Sequence, residues 1–339
     1  MTLGSNEPPR ATLLRLASGY RVTQAIYVVA RLRVPDHLAS GPKDVTVLAK
    51  EVGAEPDPLR RVLRALVPFG VFTMDASGRV GLAEVGELLR TDAPASMNDF
   101  ALFQGEDSYR AFGDLLHTVR TGETAFDHLF GMGCFDYYAR HPDAGGTFNR
   151  AMAGTVTAAA EAVEGYELER YHVMVDVGGG VGDLLARTLR SHLKLRGILF
   201  DLPGVVEHAP ETLERAGVAD RCEIRAGSAL EFIPPGGDLY VMSRILHDWP
   251  DDKARLLLAN CRRAMGSEGT LLLVESVLPE QHATAPVLWR DLMMMVMNGG
   301  RERTEREWRT LLGAGGFSLS RVLTTDRGFD LIEARALPS

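Results

Sequence analysis

The chain has 339 residues, 45% of them hydrophobic and 24% charged, a globular composition long enough for two domains with substantial cores. A formal net charge of -8 argues against a surface built to hold nucleic acid. No apolar run approaches the roughly 20 residues of a spanning helix, and the start MTLGSNEPPR lacks a signal-peptide core, so a cytoplasmic protein without membrane contact is expected.

After a polar tail, residues 11–33 place Leu13, Leu14, Ala17, Tyr20, Val22, Ile26, Val29 and Ala30 at helical spacing, which predicts one or two buried helices. Residues 58–90 read as a helix, a strand, a hairpin turn at DASG, a second strand and a helix. That order resembles a winged helix, and Arg60, Arg61 and Arg64 on its helix raise DNA binding as an alternative. In an acidic chain a solvated face on a dimerisation module is the preferred reading. Residues 101–154 look helical, punctuated by glycine-containing turns. From about Tyr171 the runs VMVDV, GILFD, CEIRA, DLYVMS, TLLLVES and FDLIEA alternate with helix-like stretches or loops. Such alternation predicts a mostly parallel sheet covered on both faces, hence an α/β domain. Three segments are expected: a winged-helix-like domain over 1–100, a helical linker and substrate lid over 101–160, and a Rossmann-like catalytic domain over 161–339. Cys134, Cys222 and Cys261 lie far apart and odd in number, so they are read as buried thiols rather than a disulfide framework or a metal site.

The segment VMVDVGGGVGDLLARTLR is a strand running through glycines into a helix, at the sheet edge where open α/β folds bind ligands. Asp201 ends the next strand, where a carboxylate accepts from both hydroxyls of a ribose. A dinucleotide site needs Gly-x-Gly-x-x-Gly and a helix start free for pyrophosphate. Here Gly178, Gly180 and Gly182 are spaced two apart and Asp183 opens the helix, a poor neighbour for phosphate. A ligand with a ribose and a cationic, phosphate-free tail fits better, and S-adenosyl-L-methionine has that character.

The stretches DVGGGVG, FDLPGVVEHA, SRILHDWPDD, LLLVESVLP and GGRERTEREW, with VRTGETAF and FNRAM, resemble the S-adenosylmethionine-dependent small-molecule O-methyltransferases, the plant caffeic-acid type and its bacterial natural-product tailoring branch. The resemblance implies a Rossmann-like domain behind an N-terminal, mainly helical dimerisation domain, a homodimer, no metal and a small aromatic acceptor from secondary metabolism such as antibiotic biosynthesis. It implies His247 as the catalytic base, with Glu275 and Glu302 beside it; Glu302 could instead pair with Arg301 or Arg303 on a surface turn. A phenol titrates near 10, so a base must take its proton as attack on the sulfonium methyl proceeds, and histidine is the side chain best poised for that.

The same resemblance assigns cofactor contacts to Asp176, Gly178, Gly180, Asp201, Leu202, Gly227, Ser228, Ala229, Ser243, Arg244 and Trp249. Acceptor contacts fall to Phe148, Asn149, Met152, Asp291, Met294 and Asn298. Ser228 stands where the family usually has the aspartate that binds adenine, which shifts weight to Ala229, Leu230 and Trp249. Ser243 stands where lysine is frequent. Methyl transfer to nitrogen or carbon, or a hydroxylation or decarboxylation on the same fold, are the other chemistries such a chain could carry.

Overall fold

In the computed structural model of the chain, which describes residues 8–94, 96–154 and 156–338, two compact units divide between Arg110 and Ala111. The first is mainly helical. Helices Pro9–Ala17 and Tyr20–Arg31 realise the apolar 3.6-residue pattern, but the expectation that this stretch is buried is corrected. Val29 and Ala30 are closed off, whereas Leu13 and Leu14 stand 68% and 63% exposed. An apolar stripe is buried only where another surface covers it, and among the described residues that face is left open. Helix Pro56–Leu66 starts on a proline, which a first helical turn tolerates, and turns Leu59, Leu63 and Leu66 inward at i, i+4 and i+7. Arg61 and Arg64 stay exposed. Strands β1 (Phe72–Met74) and β2 (Val80–Leu82) form an antiparallel hairpin, whose turn is closed by Asp75 accepting from the amides of Ser77 and Arg79.

The second unit carries seven strands: β3 (Val173–Val177), β4 (Arg196–Asp201), β5 (Cys222–Ala226), β6 (Leu239–Ser243), β7 (Thr270–Glu275), β8 (Phe317–Leu323) and β9 (Asp330–Ala336). Their order is β5-β4-β3-β6-β7-β9-β8. The first five run parallel, and β9 is antiparallel to both β7 and β8. Strands buried on both faces need continuous apolar runs, and the two faces hold separate cores. One gathers Leu185, Leu189, Leu199, Leu213, Val241 and Leu272; the other gathers Phe200, Tyr240, Leu257, Leu258, Trp308 and Leu312. Cys134 and Cys261 are buried as read, but Cys222 is not; it opens edge strand β5 and is only half covered.

The chain enters this sheet at its centre, builds outward from β3 through β4 to β5, then crosses back to β6. Strand order therefore reverses between β3 and β6, which opens a crevice at their carboxyl ends.

Candidate active site

At that crevice β3 ends in the glycine turn. Gly180 has φ +63 and open space where a Cβ would project, so the backbone is free for close approach by a ligand. Its amide donates to Asp201 Oδ2 at 2.7 Å, and the Leu202 amide donates to Oδ1 at 2.6 Å. Burial pushes the Asp201 carboxyl up, and these two amides pull it back. Each oxygen keeps a lone pair for a further donor. Asp176, on β3, is 1% exposed, and neither of its oxygens has a hydrogen-bond partner at ordinary distance. Burial, reinforced by Asp201, pushes it up to about 7. A buried carboxylate in that state is poised to accept a cation. Gly178 also has positive φ, and Ile245 packs where its side chain would be.

Gly227 follows β5, its amide donating to the Asp201 carbonyl at 2.9 Å. The Ser228 carbonyl accepts from the amides of Glu231 and Phe232, turning the loop. The Ala229 carbonyl accepts from the Asn260 side chain at 2.7 Å. Ser243 ends β6, and Arg244 continues into the left-handed region at φ 57, its amide donating to Val274. Trp249 packs against Phe135, ring centroids 5.4 Å apart, under Lys253 Nζ at 5.0 Å.

The strained residue Arg244 delivers the chain into a short 3-10 turn, Leu246–Asp248, which carries His247. Glu275, the last residue of β7, holds that turn from below. Its Oε1 accepts from the amides of Ile245, Leu246 and His247 at 3.1, 2.9 and 3.4 Å, while its Oε2 sits 3.5 Å from His247 Nδ1. Glu302 Oε1 is closer to Nδ1, at 3.0 Å. On the other ring nitrogen, Asp248 Oδ1 is 3.7 Å from Nε2. Burial disfavours the charged imidazole, yet the carboxylates of Glu275, Asp248 and Glu302 outweigh it and push His247 up to about 9. Glu275, fully buried beside other carboxylates, rises to about 7. A carboxylate only accepts, so the nitrogen facing Glu302 carries a proton and Nε2 is the atom left to exchange one.

The structure brings His247, Glu275 and Glu302 together, and it gives each arginine beside Glu302 another partner. Arg301 pairs with Glu307 and Arg303 with Asp251. Asn298 Nδ2 donates to Asp248 Oδ1 at 2.7 Å, leaving its own Oδ1 buried without a partner. Asp291 accepts the Glu302 amide at 2.9 Å and so sets the backbone that carries Glu302. Phe148 stacks on Tyr138 at 4.5 Å and meets Phe135 edge-on at 6.4 Å, so an aromatic wall runs from Tyr138 to Trp249. Met294 is buried, and Asn149 and Met152 are half-buried.

Three positioning features escaped the sequence reading. Arg303, 1% exposed, donates to the carbonyls of Leu246 and Trp249, both at 2.9 Å, and thereby clamps the His247 turn from both ends. Asn260 anchors the Ala229 loop. Gly300 lies so close that a Cβ there would collide with the His247 carbonyl oxygen, which accepts from the Arg301 amide at 2.9 Å. The run GGRERT held the only local signal, a glycine pair before alternating charges.

Comparison with known proteins identifies the family. Residues 112–318 match the O-methyltransferase domain, and residues 14–92 match the O-methyltransferase dimerisation domain. The phenazine O-methyltransferase PhzM of Lysobacter antibioticus is 44% identical over 97% of this chain and 97% of its own length. The crystal structure of LaPhzM superimposes with a TM-score of 0.95, covering 98% of this chain and 100% of that one at 44% identity. The O-methyltransferase NcsB1 from neocarzinostatin biosynthesis, solved with S-adenosylmethionine and 2-hydroxy-5-methyl naphthoic acid, superimposes with a TM-score of 0.85 at 30% identity, covering 98% of this chain and 100% of that one. The chain belongs to the S-adenosyl-L-methionine-dependent O-methyltransferase family.

Proposed function

We propose that this enzyme methylates a phenolic or enolic hydroxyl on a small, planar, fused-ring aromatic acceptor, with His247 as the base. The observation that carries the reading is the His247 imidazole, oriented by Glu302 on Nδ1 and presenting Nε2 beside the Asp248–Asn298 pair. The phenazine named for one relative and the naphthoate bound to another are both fused aromatic systems, which suits the aromatic wall of Tyr138, Phe148, Phe135 and Trp249.

The donor fits the residues present. Asp201 offers the ribose a carboxylate with a lone pair remaining on each oxygen, Gly180 leaves room at the turn, and Asp176 supplies a buried, unpartnered acceptor for positive charge. Bound S-adenosyl-L-methionine supplies a sulfonium methyl group that is electrophilic towards an oxygen nucleophile.

His247 takes the hydroxyl proton at Nε2 as the acceptor oxygen becomes nucleophilic. With the imidazolium raised to about 9, its proton affinity comes close to that of a phenolate, whose phenol titrates near 10, so the transfer is far less uphill than to an unperturbed imidazole. Glu302 keeps the ring from rotating and stabilises the charge it gains, in the manner of a triad carboxylate. Glu275 holds the backbone of the same turn through three amides and adds negative potential below the ring. The Asp248–Asn298 pair borders the nitrogen that exchanges the proton. Burial of the whole group excludes water, so the charged imidazole is compensated by fixed carboxylates instead of solvent.

The first unit matches a dimerisation domain, and its exposed Leu13, Leu14 and Leu16 support a homodimer through that unit. The enzymatic reading is tested by incubating the protein with methyl-labelled donor and a panel of hydroxyphenazines, hydroxynaphthoates and hydroxybenzoates. The expected product gains one methyl on oxygen, and His247→Ala loses about 10²- to 10⁴-fold in turnover while still binding donor. Undiminished turnover in that variant, or product methylated only on nitrogen or carbon, would overturn it.

A further inference from the structure

Away from the reaction crevice, two histidines and an aspartate converge on residues 114–128. Asp114 occupies the N-cap of helix Leu115–Thr121 yet caps no amide of that helix. Its Oδ2 lies instead 2.6 Å from Nδ1 of His128, in the next helix, Ala125–Phe130. His117 stacks face to face on His128, ring centroids 3.7 Å apart and planes 8° apart, and its Nε2 is 2.8 Å from Glu123 Oε2. One donor atom from each of Asp114, His117 and His128 lies within 4.8 Å of the others.

An aspartate used as a helix cap is typically worth about 1 kcal/mol, and here that contact is forgone for a histidine fourteen residues on. Carboxylates bonded to a ring nitrogen also orient imidazoles around metal ions, the arrangement that Glu123 shows with His117. We infer that Asp114, His117 and His128 form a site for a late first-row divalent cation such as Zn2+, Ni2+ or Cu2+. Two imidazole nitrogens and one carboxylate oxygen favour these ions over Mg2+ and Ca2+, which take oxygen ligands, and leave a coordination position for water. Imidazole lone pairs lie in the ring plane, so binding requires the parallel rings of His117 and His128 to rotate out of their stack as the three donors close in to bonds near 2.0–2.1 Å.

The ion would staple helix Leu115–Thr121 to helix Ala125–Phe130. The latter packs on helix Ala285–Met297, which carries Asp291 and Met294. Thr124, between the two stapled helices, lies against Gly299, whose φ is +71. On the proposed reading of Asp291 and Met294 as acceptor contacts, metal binding would bear on the acceptor side of the site without touching His247.

The test is calorimetric titration of untagged protein with Zn2+, paired with Co2+ absorption to report nitrogen ligation. One ion per chain is expected, with affinity reduced tenfold or more in His117→Ala/His128→Ala and in the milder Asp114→Asn, whose folding is checked by circular dichroism. His247→Ala should bind as the unmodified enzyme does. Absence of binding by the unmodified enzyme, or equal affinity in the double variant, would overturn the site. So would loss in His247→Ala with retention in the double variant, because the ion would then lie in the buried His247, Glu275 and Glu302 trio.

Discussion

Glu302 Oε1 stands 3.0 Å from His247 Nδ1, although 55 residues of chain separate them, and both side chains are buried. The contact puts a carboxylate on Nδ1 and leaves Nε2 as the nitrogen to exchange a proton, and with Glu275 and Asp248 it raises the proton affinity of the ring. Because only the neutral imidazole can accept a proton, kcat/KM should climb with pH from 7 towards 9. Glu302→Gln keeps an acceptor for Nδ1–H but removes a negative charge. Its rising limb should move to lower pH while kcat falls about 10- to 100-fold, as a pH–rate series would show. An unmoved limb would separate Glu302 from the base.

Asp176 has the opposite leaning, a carboxyl held up to about 7 by burial and by Asp201. A carboxyl whose folded value lies above its unfolded one favours the fold fully only below its unfolded value near 3.8, and that contribution is lost progressively as pH rises from there to about 7. Asp176→Asn should therefore melt higher than the unmodified enzyme in the absence of donor at pH 8, with the advantage shrinking steadily towards pH 4. Donor affinity should behave inversely. It should weaken below pH 7 in the unmodified enzyme, as a buried anion for the cation is lost, and be poor and nearly pH-independent in the variant. Calorimetry at both pH values checks the two halves.

Arg303 clamps the His247 turn by two carbonyls and one carboxylate, under the ring of Trp308 at 5.2 Å. Arg303→Met keeps much of the volume and leaves those acceptors unpaired, which should cost about 2–4 kcal/mol by denaturant unfolding. In protein that remains folded, kcat should fall more than the donor Kd rises, since the turn carries His247, the proposed base. A surface role would predict neither effect.

Phe148 stacks on Tyr138 and, on the proposed reading, lends a face to the acceptor wall. Phe148→Ala should raise KM for a fused-ring acceptor about 3- to 10-fold, in keeping with the 0.5–1.5 kcal/mol of an aromatic pair, with a smaller effect on kcat. Equal KM values for two- and three-ring acceptors in both proteins would place the acceptor elsewhere.

Legibility in the sequence followed range along the chain. The alternation of apolar runs after Tyr171 predicted the parallel sheet because side-chain burial repeats locally, and the spacing of Gly178, Gly180 and Gly182 with Asp201 belongs to a single strand-turn-helix-strand unit. His247 was singled out as the base from its place after an apolar strand and from family resemblance. By itself, local sequence could not say whether Glu302 faced a histidine or a neighbouring arginine. The structure decided it because the 299–303 segment lies against the His247 turn, where successive side chains go to different partners: Arg301 to Glu307, Glu302 to His247, and Arg303 to Leu246 and Trp249. Asn260 and Gly300 were silent for the same reason, since each acts on a backbone group distant in sequence. Helical periodicity likewise marked Leu13 and Leu14 as apolar but could not say what covers them. The sequence by itself determined which residues are apolar and which turns need glycine, and it pointed to where the donor is expected. Which carboxylates surround the imidazole, and how strongly it holds its proton, was decided only by tertiary structure, because electrostatics depends on separation in space and on burial.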